Sequence, residues 1–232
     1  MLKVEHLSKS YGRGKHRKTI LHDINLSVGD GELVGIVGES GSGKSTLARL
    51  IMRLERADEG TVSFSGTDDF YASCQIVFQN ASAAMNPSWT VRDILKEPVR
   101  LMKGDRDADI LTMLGRVGLE EKHLDRRPSE LSGGERQRVN LLRSMLVEPK
   151  LLICDEIVSN LDRLIQKEIV ELILKMNREM GMAILFISHD LKVVQHLCDR
   201  VYVMEGGRIV EESAKQDGRF SFTHPYSLML FE

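Results

Sequence analysis

The stretch "GIVGESGSGKSTLARL" constrains the fold of this chain more than any other. An apolar run, "ELVGIVG", leads into it and an amphipathic run leaves it, so it reads as strand, glycine-rich turn, helix. Gly38, Gly43, Lys44 and Ser45 fit the pattern G-x-x-x-x-G-K-[ST], and they sit where that pattern works mechanically, after the strand and before the helix. Glycines let the backbone fold around phosphates with its N–H groups pointing inward; Lys44 can then reach the β and γ oxygens, and Ser45 can ligate Mg²⁺. The expected nucleotide cradle is Gly38, Glu39, Ser40, Gly41, Ser42, Gly43, Lys44, Ser45 and Thr46.

The rest of the chain supplies the layers such a loop needs. In "ILHDINLSV" the residues Ile24, Leu26 and Val28 share a face, as do Val62 and Phe64 in "TVSF", which reads as antiparallel strands. Unbroken apolar runs at "LLICDE", "AILFISHD" and "RVYVM" read, with "ELVGIVG", as strands buried on both faces of a parallel sheet. In "LIQKEIVELILKMNREMG", Ile165, Ile169, Leu172, Ile173 and Met176 recur at helical spacing and Gly181 suits a C-cap. Strand, helix, strand repeated in this way implies an α/β layer with right-handed crossovers. From about Val91 to Leu124 the pattern is short helices expected to break at Pro98, Gly104, Gly115 and Gly118, read as a helical insertion. "GRGKHRK" reads as a mobile basic loop.

Composition excludes several classes. The 232 residues suffice for one domain, or a core with a subdomain, and the net charge of -2 gives no field for gripping nucleic acid. Glu5 and His6 stand where a signal peptide would need an apolar run, and no stretch approaches the ~20 apolar residues of a membrane span. A cytosolic protein, or one peripheral to the membrane on its cytosolic side, is expected. Cys74, Cys154 and Cys198 are far apart without CxxC spacing, which favours buried reduced thiols over a disulfide or zinc site.

Hydrolysis needs a metal holder and a base. The "LLICDE" strand ends in Asp155 and Glu156, where ligands collect in open α/β sheets: Asp155 suits Mg²⁺, and Glu156 is left free to polarise the attacking water. "QIVFQN" ends in Gln79, which can bond Mg²⁺ and water, and "LFISHD" ends in His189, which can donate to a γ-oxygen. The other six histidines are read as structural. "LSGGERQRVN" remains: a glycine pair opening a helix offers a second anion site, and one nucleotide has no use for two cradles in one molecule.

The order of these parts, from the loop through Gln79, "LSGGE", the Asp155–Glu156 pair and "SNLD" to His189, resembles the ATP-binding cassette family over nearly the whole chain. The resemblance implies a P-loop α/β core with an N-terminal antiparallel β subdomain (residues 1–84 and 148–232) and an inserted helical signature subdomain (residues 85–147), a single domain over 1–232. It also resolves the second anion site. Ser132, Gly133 and Gly134 would close over the ATP held by a partner's P-loop, and Asp162 would cross the same interface. Tyr11 falls where the family places an adenine-stacking aromatic; a packed strand tyrosine is the other reading. Glu135 stands where the family often has Gln, "SNLD" replaces a frequent SALD, and Cys154 replaces a larger aliphatic and reads as a small core hydrophobe.

"FQNASAAMNPSWTVRDILKEPVR", "RPSELSGGERQRVNLLRSMLVEPKLLICDEIVSNLD" and "HPYSLML" look like the ATP-binding subunits of nickel, dipeptide and oligopeptide importers. The short C-terminus after "HPYSLMLFE" and the "SNLD" variant lean toward nickel or a metal chelate, with peptides as the alternative. The resemblance implies an ATPase using ATP and Mg²⁺, peripheral on the cytoplasmic side of the inner membrane. Its partners would be a second cassette, identical or related, two transmembrane permease subunits and, indirectly, an extracytoplasmic solute-binding protein, with no nucleic acid. A nucleotide kinase has no use for "LSGGE". A cassette acting on DNA or the ribosome would need a coiled-coil insertion or a second cassette; a non-transport nucleotide sensor stays open.

Overall fold

Alternate side chains of the central strands enter two different cores, which is why their apolar runs are unbroken. Val34 and Ile36 join one core while Leu33 and Val37 join the other; Ile153 opposes Leu152 and Cys154, and Leu185 opposes Ile184 and Phe186. The computed structural model describes residues 1–65, 69–81, 83–101, 107–159 and 161–231. Gly104 and the asparagine of "SNLD", Asn160, lie outside them.

The N-terminal strands are β1 (Leu2–Tyr11), β2 (Lys18–Val28) and β3 (Leu33–Val37), followed by α1 (Lys44–Ile51), β4 (Glu59–Phe64), α2 (Phe70–Ser73) and β5 (Cys74–Val77). A run of helices follows: α3 (Val91–Leu101), α4 (Asp107–Arg116) and α5 (Gly133–Met145). The chain then alternates through β6 (Leu151–Asp155), α6 (Arg163–Met180), β7 (Ala183–Ile187), α7 (Leu191–Leu197) and β8 (Arg200–Glu205), and ends with β9 (Arg208–Ala214) and α8 (Pro225–Phe231). The six-stranded sheet runs β5-β6-β7-β3-β8-β9, parallel except for the β8–β9 pair. A separate antiparallel sheet, β2-β1-β4, packs its Leu2, Val4, Ile24, Leu26 and Val28 onto the α1 side of the large sheet. The opposite face carries α5, α6 and α7 through Val139, Ile169, Ile173, Met176 and Val194.

Several sequence expectations change. Pro98 and Gly115 do not break helices; they lie inside α3 and α4. Pro98 falls in the last turn of α3, where its missing N–H denies a bond only to the Ile94 carbonyl, and buried Ile94, Leu95 and Val99 hold the helix on the core. Gly118, at φ +70°, does follow the end of α4. The basic loop between β1 and β2 contains a 3-10 turn at Gly14–His16. Strands β5 and β7 stop two residues before Gln79 and His189, which therefore sit on the loops that follow. All three cysteines are buried and free, and burial pushes their thiols up, Cys74 to about 12. Among the described residues no helix is long and apolar enough to cross a membrane.

Candidate active site

Four neighbouring strands, β5, β6, β7 and β3, end side by side, and their C-terminal ends deliver Gln79, Asp155 with Glu156, His189 and the glycine loop to one edge of the sheet. The loop is shaped by positions only glycine fits. Gly38 (φ +152°) would put a Cβ 2.1 Å from the Met204 carbonyl oxygen, and Gly43 (φ +102°), the N-cap of α1, would put one 2.6 Å from Leu21 Cδ2. Glu39, Ser40 and Gly41 are exposed, whereas Ser42, Lys44 and Thr46 are buried. Lys44 Nζ donates to the Gly38 and Glu39 carbonyls at 2.7 and 2.8 Å and approaches Ser42 Oγ at 3.4 Å. Burial lowers the pKa of its ammonium, opposed by the charges of Glu156 and Asp155.

Ser45 Oγ donates to Asp155 Oδ1 at 3.1 Å, which joins the start of α1 to the end of β6. Asp155 is only 6% exposed, and burial raises its pKa against the lowering effect of the Ser45 bond. The next residue, Glu156, takes a left-handed conformation (φ +51°) while its N–H bonds the Ile187 carbonyl at 2.9 Å. A non-glycine residue held there is strained, and such strain gathers at functional sites. Its carboxylate meets both loop residues: Gln79 Nε2 approaches Glu156 Oε2 at 3.4 Å and donates to Ser159 Oγ at 3.0 Å, and His189 Nδ1 lies 3.5 Å from Glu156 Oε2. Ser159, the first residue of "SNLD", joins the site as well. Its part is a long-range contact from Gln79, which sequence spacing does not reveal.

Tyr11 ends β1 at 38% exposure, with its hydroxyl donating to Glu55. The "LSGG" turn is built differently. Ser132 is the N-cap of α5: its Oγ accepts from the Glu135 N–H at 3.2 Å, and its own N–H donates to Glu135 Oε2 at 2.7 Å. Ser132 and Gly133 are exposed, but Gly134 is buried, and a Cβ on it would lie 2.9 Å from Ile165 Cγ2. Among the described residues no hydrogen bond joins Ser132, Gly133 or Gly134 to residues 38–46. Asp162 caps α6, accepting from the N–H groups of Leu164 and Ile165 at 3.1 Å each.

Two partners had no signal in the sequence. Buried His123 sits behind the turn with its Nε2 3.0 Å from Glu135 Oε1, and Tyr226 of the C-terminal helix accepts from the Glu39 N–H at 3.1 Å.

Known proteins resemble this chain in sequence and in fold. The family model described as ABC transporter matches residues 21–159. The nickel import ATP-binding protein NikE of Shigella boydii serotype 4 (strain Sb227) is 43% identical, covering 94% of this chain and 88% of that protein. NikE of Escherichia coli (strain K12) is likewise 43% identical over 91% of this chain and 86% of its own length. Among solved structures, the ATP-binding cassette MJ0796, dimeric in a post-hydrolysis state with ADP and Pi, superposes with a TM-score of 0.80 at 27% identity, covering 92% of this chain and 98% of that one. The cbiO1 protein of Clostridium perfringens, part of the ABC transporter complex cbiONQ, gives 0.79 at 31% identity over 91% and 87%. With this likeness along nearly its whole length, the chain belongs to the ABC transporter family, as one of its ATP-binding cassette ATPases.

Proposed function

We propose that this chain powers an importer of nickel or a nickel chelate by binding and hydrolysing ATP between two cassettes. The observation that carries the hydrolytic part is the meeting of Gln79, Glu156 and His189 beside the Lys44 loop. Glu156 takes the proton of the attacking water, a task that needs hydrogen-bond reach more than a shifted pKa. Gln79 and His189 orient water and the γ-phosphate, and Lys44 neutralises the β and γ oxygens. Ser45 Oγ, the Asp155 carboxylate and the Gln79 amide oxygen are hard oxygen donors of the kind Mg²⁺ takes, and the buried Asp155 carboxylate gains from a cation beside it. Mg²⁺ held there would offset charge on the phosphates.

The nickel assignment leans on the NikE relatives, since the substrate would be chosen by the membrane and solute-binding subunits and no residue here reads nickel. Ser132 and Gly133 close on the nucleotide of the partner cassette, identical or related, with Asp162 at the same boundary. Residues 85–147 act as the helical signature subdomain on the core formed by 1–84 and 148–232. Between them runs a groove of about 600 Å³ lined by Tyr71, Phe78, Asn80, Pro98, Asn140 and Arg143. Exposed Tyr71 and Phe78 offer apolar contact, and the buried Nδ2 of Asn140 has no hydrogen-bond partner among the described residues. A cytosolic loop of a permease fits this chemistry, and its docking would hold the chain at the cytoplasmic face of the inner membrane. ATP-driven closure would then pull on the permease.

The test is affinity purification of the tagged chain from its own cells, followed by transport in reconstituted vesicles offered Ni²⁺, chelated Ni²⁺ or short peptides. Two co-purifying permeases and ATP-dependent nickel uptake are expected. Uptake of peptides alone would replace the substrate, and recovery without any membrane subunit would remove the transport role.

A further inference from the structure

The segment after α1 turns back on that helix. Arg53 adopts a left-handed conformation (φ +57°), and the Leu54 N–H returns to the Arg49 carbonyl at 2.9 Å. This reversal sets Glu55 beside the Arg49 side chain, whose Nε donates to Glu55 Oε1 at 2.7 Å. The other Glu55 oxygen accepts from the Tyr11 hydroxyl. On its far side Arg49 Nη2 donates to Thr46 Oγ1 at 3.3 Å, within the phosphate loop. An unbroken chain of contacts therefore runs from Tyr11 through Glu55 and Arg49 to Thr46.

The end of β1 is fixed against the same segment. Ser10 N–H donates to Asp58 Oδ2 at 2.8 Å, Asp58 N–H donates to the Ser8 carbonyl at 3.0 Å, and Lys9 Nζ donates to the Arg56 carbonyl at 2.6 Å. The Lys9 ammonium also stands over one face of the Tyr11 ring, 5.2 Å from its centre, so a base stacking on Tyr11 would have to use the opposite face. The Tyr11 bond, then Arg49, holds the Glu55 carboxyl below the usual carboxylate range, and it stays ionised and acceptor-only near neutral pH.

We propose that Glu55 is a positioning residue for the nucleobase, its two oxygens holding the Tyr11 ring in place and tying it through Arg49 to Thr46. This rests on the reading of Tyr11 as the adenine-stacking aromatic that the family resemblance implies. The chain needs no contact between Glu55 and the nucleotide. It sets the distance between the stacking ring and the phosphate cradle, so that one rigid ligand meets both. A triphosphate without a base gains nothing from it, which separates this role from a general support of the fold.

The experiment is calorimetry on the full chain, comparing ATP with inorganic tripolyphosphate in the presence of Mg²⁺. Tyr11→Ala should weaken ATP binding roughly tenfold, and Glu55→Ala about three- to fivefold, with tripolyphosphate within about twofold of the parent in both. Tyr11→Phe, which keeps the ring and the fold but removes the same hydrogen bond, should match Glu55→Ala. The double variant Tyr11→Phe with Glu55→Ala should be no weaker than either single change. Parental ATP affinity in Glu55→Ala, alongside a loss in Tyr11→Ala, would overturn the positioning role and leave the base at Tyr11. An equal loss for both ligands in Glu55→Ala would overturn it too, as a defect of the phosphate loop alone. Parental ATP affinity in Tyr11→Ala would remove the base from Tyr11 altogether.

Discussion

Two glycine-bearing turns in this chain open helices, and they treat their helix ends in opposite ways. At the phosphate loop the N-cap of α1 is Gly43, which has no side chain to cap with, so the first-turn N–H groups stay available to an anion. At the signature turn the N-cap of α5 is Ser132, and Ser132 and Glu135 cap each other reciprocally. The first turn is built to be completed by a ligand. The second is completed by its own chain. The signature turn is held rigid before anything arrives, with exposed Ser132 using its Oγ as an acceptor inward and leaving the hydroxyl proton for an acceptor outside. A rigid donor surface suits a nucleotide already seated elsewhere.

The strongest test of this contrast concerns turnover, which needs both turns. Glu156→Gln keeps the shape of the side chain but removes the base, and ATPase activity should fall about 10²- to 10⁴-fold while ATP binding persists. Steady-state phosphate release and a binding isotherm check both halves, and turnover at the parental rate would refute the base. Next come substitutions that separate the turns. Lys44→Ala should weaken ATP binding to the isolated chain roughly 10- to 100-fold, because a cation that reaches the β and γ oxygens is lost. Ser132→Arg should leave that binding within about twofold and abolish ATPase activity only in the assembled transporter. Were both variants to weaken binding to the isolated chain alike, the two turns would serve one nucleotide and the contrast would collapse.

The unequal legibility of the two regions has a physical cause. The phosphate loop was readable because its chemistry is local: Gly38 to Thr46 follow one another, and the flanking strand and helix carry their own periodicity. Helix α6 was readable for the same reason, down to its Gly181 cap at φ +63°. Strand β1 was not, although Leu2, Val4 and Leu7 are all buried; a shift of register between Val4 and Leu7, with His6 at φ +51°, breaks the alternation that marks a strand. Strand β9 pairs antiparallel at the sheet edge and is half exposed, so it lacks the apolar run of its neighbours. Pro98 was overruled by packing. Contacts such as His123 with Glu135 and Tyr226 with Glu39 join residues with no shared pattern, and only the fold brings them together.

His123 offers a smaller test. Its side chain is 7% exposed, and its ring touches Glu120 N at 2.9 Å through Nδ1 and Glu135 through Nε2. His123→Ala leaves a cavity and takes a partner from each, which should cost about 2 kcal/mol and lower Tm by roughly 4–8 °C. ATP affinity of the isolated chain should not change, since the loss lies on the signature side. A calorimetric melt together with an isotherm decides it: an unaltered melting temperature would show that the ring supports nothing.

Glu135→Gln is the finest probe, because it alters the reciprocal cap without emptying space. The amide can still accept from the Ser132 N–H and donate to His123 Nε2 once the imidazole moves its proton to Nδ1, which then bonds the Glu120 carbonyl at 3.0 Å but no longer accepts from the Glu120 N–H. The cost near neutral pH should therefore stay at about 1 kcal/mol, the worth of one hydrogen bond. Acid reveals the difference. The Ser132 N–H holds the Glu135 carboxyl below its usual range, so its contribution is complete above the ordinary carboxylate pKa of about 4.3 and disappears as pH falls through the lowered folded value. Urea midpoints should thus favour the parent at pH 7 and converge as the pH drops toward about 3. A gap of constant size across that range would mean that the cap holds Ser132 by shape alone, and that the charge on Glu135 adds nothing to the rigidity of the turn.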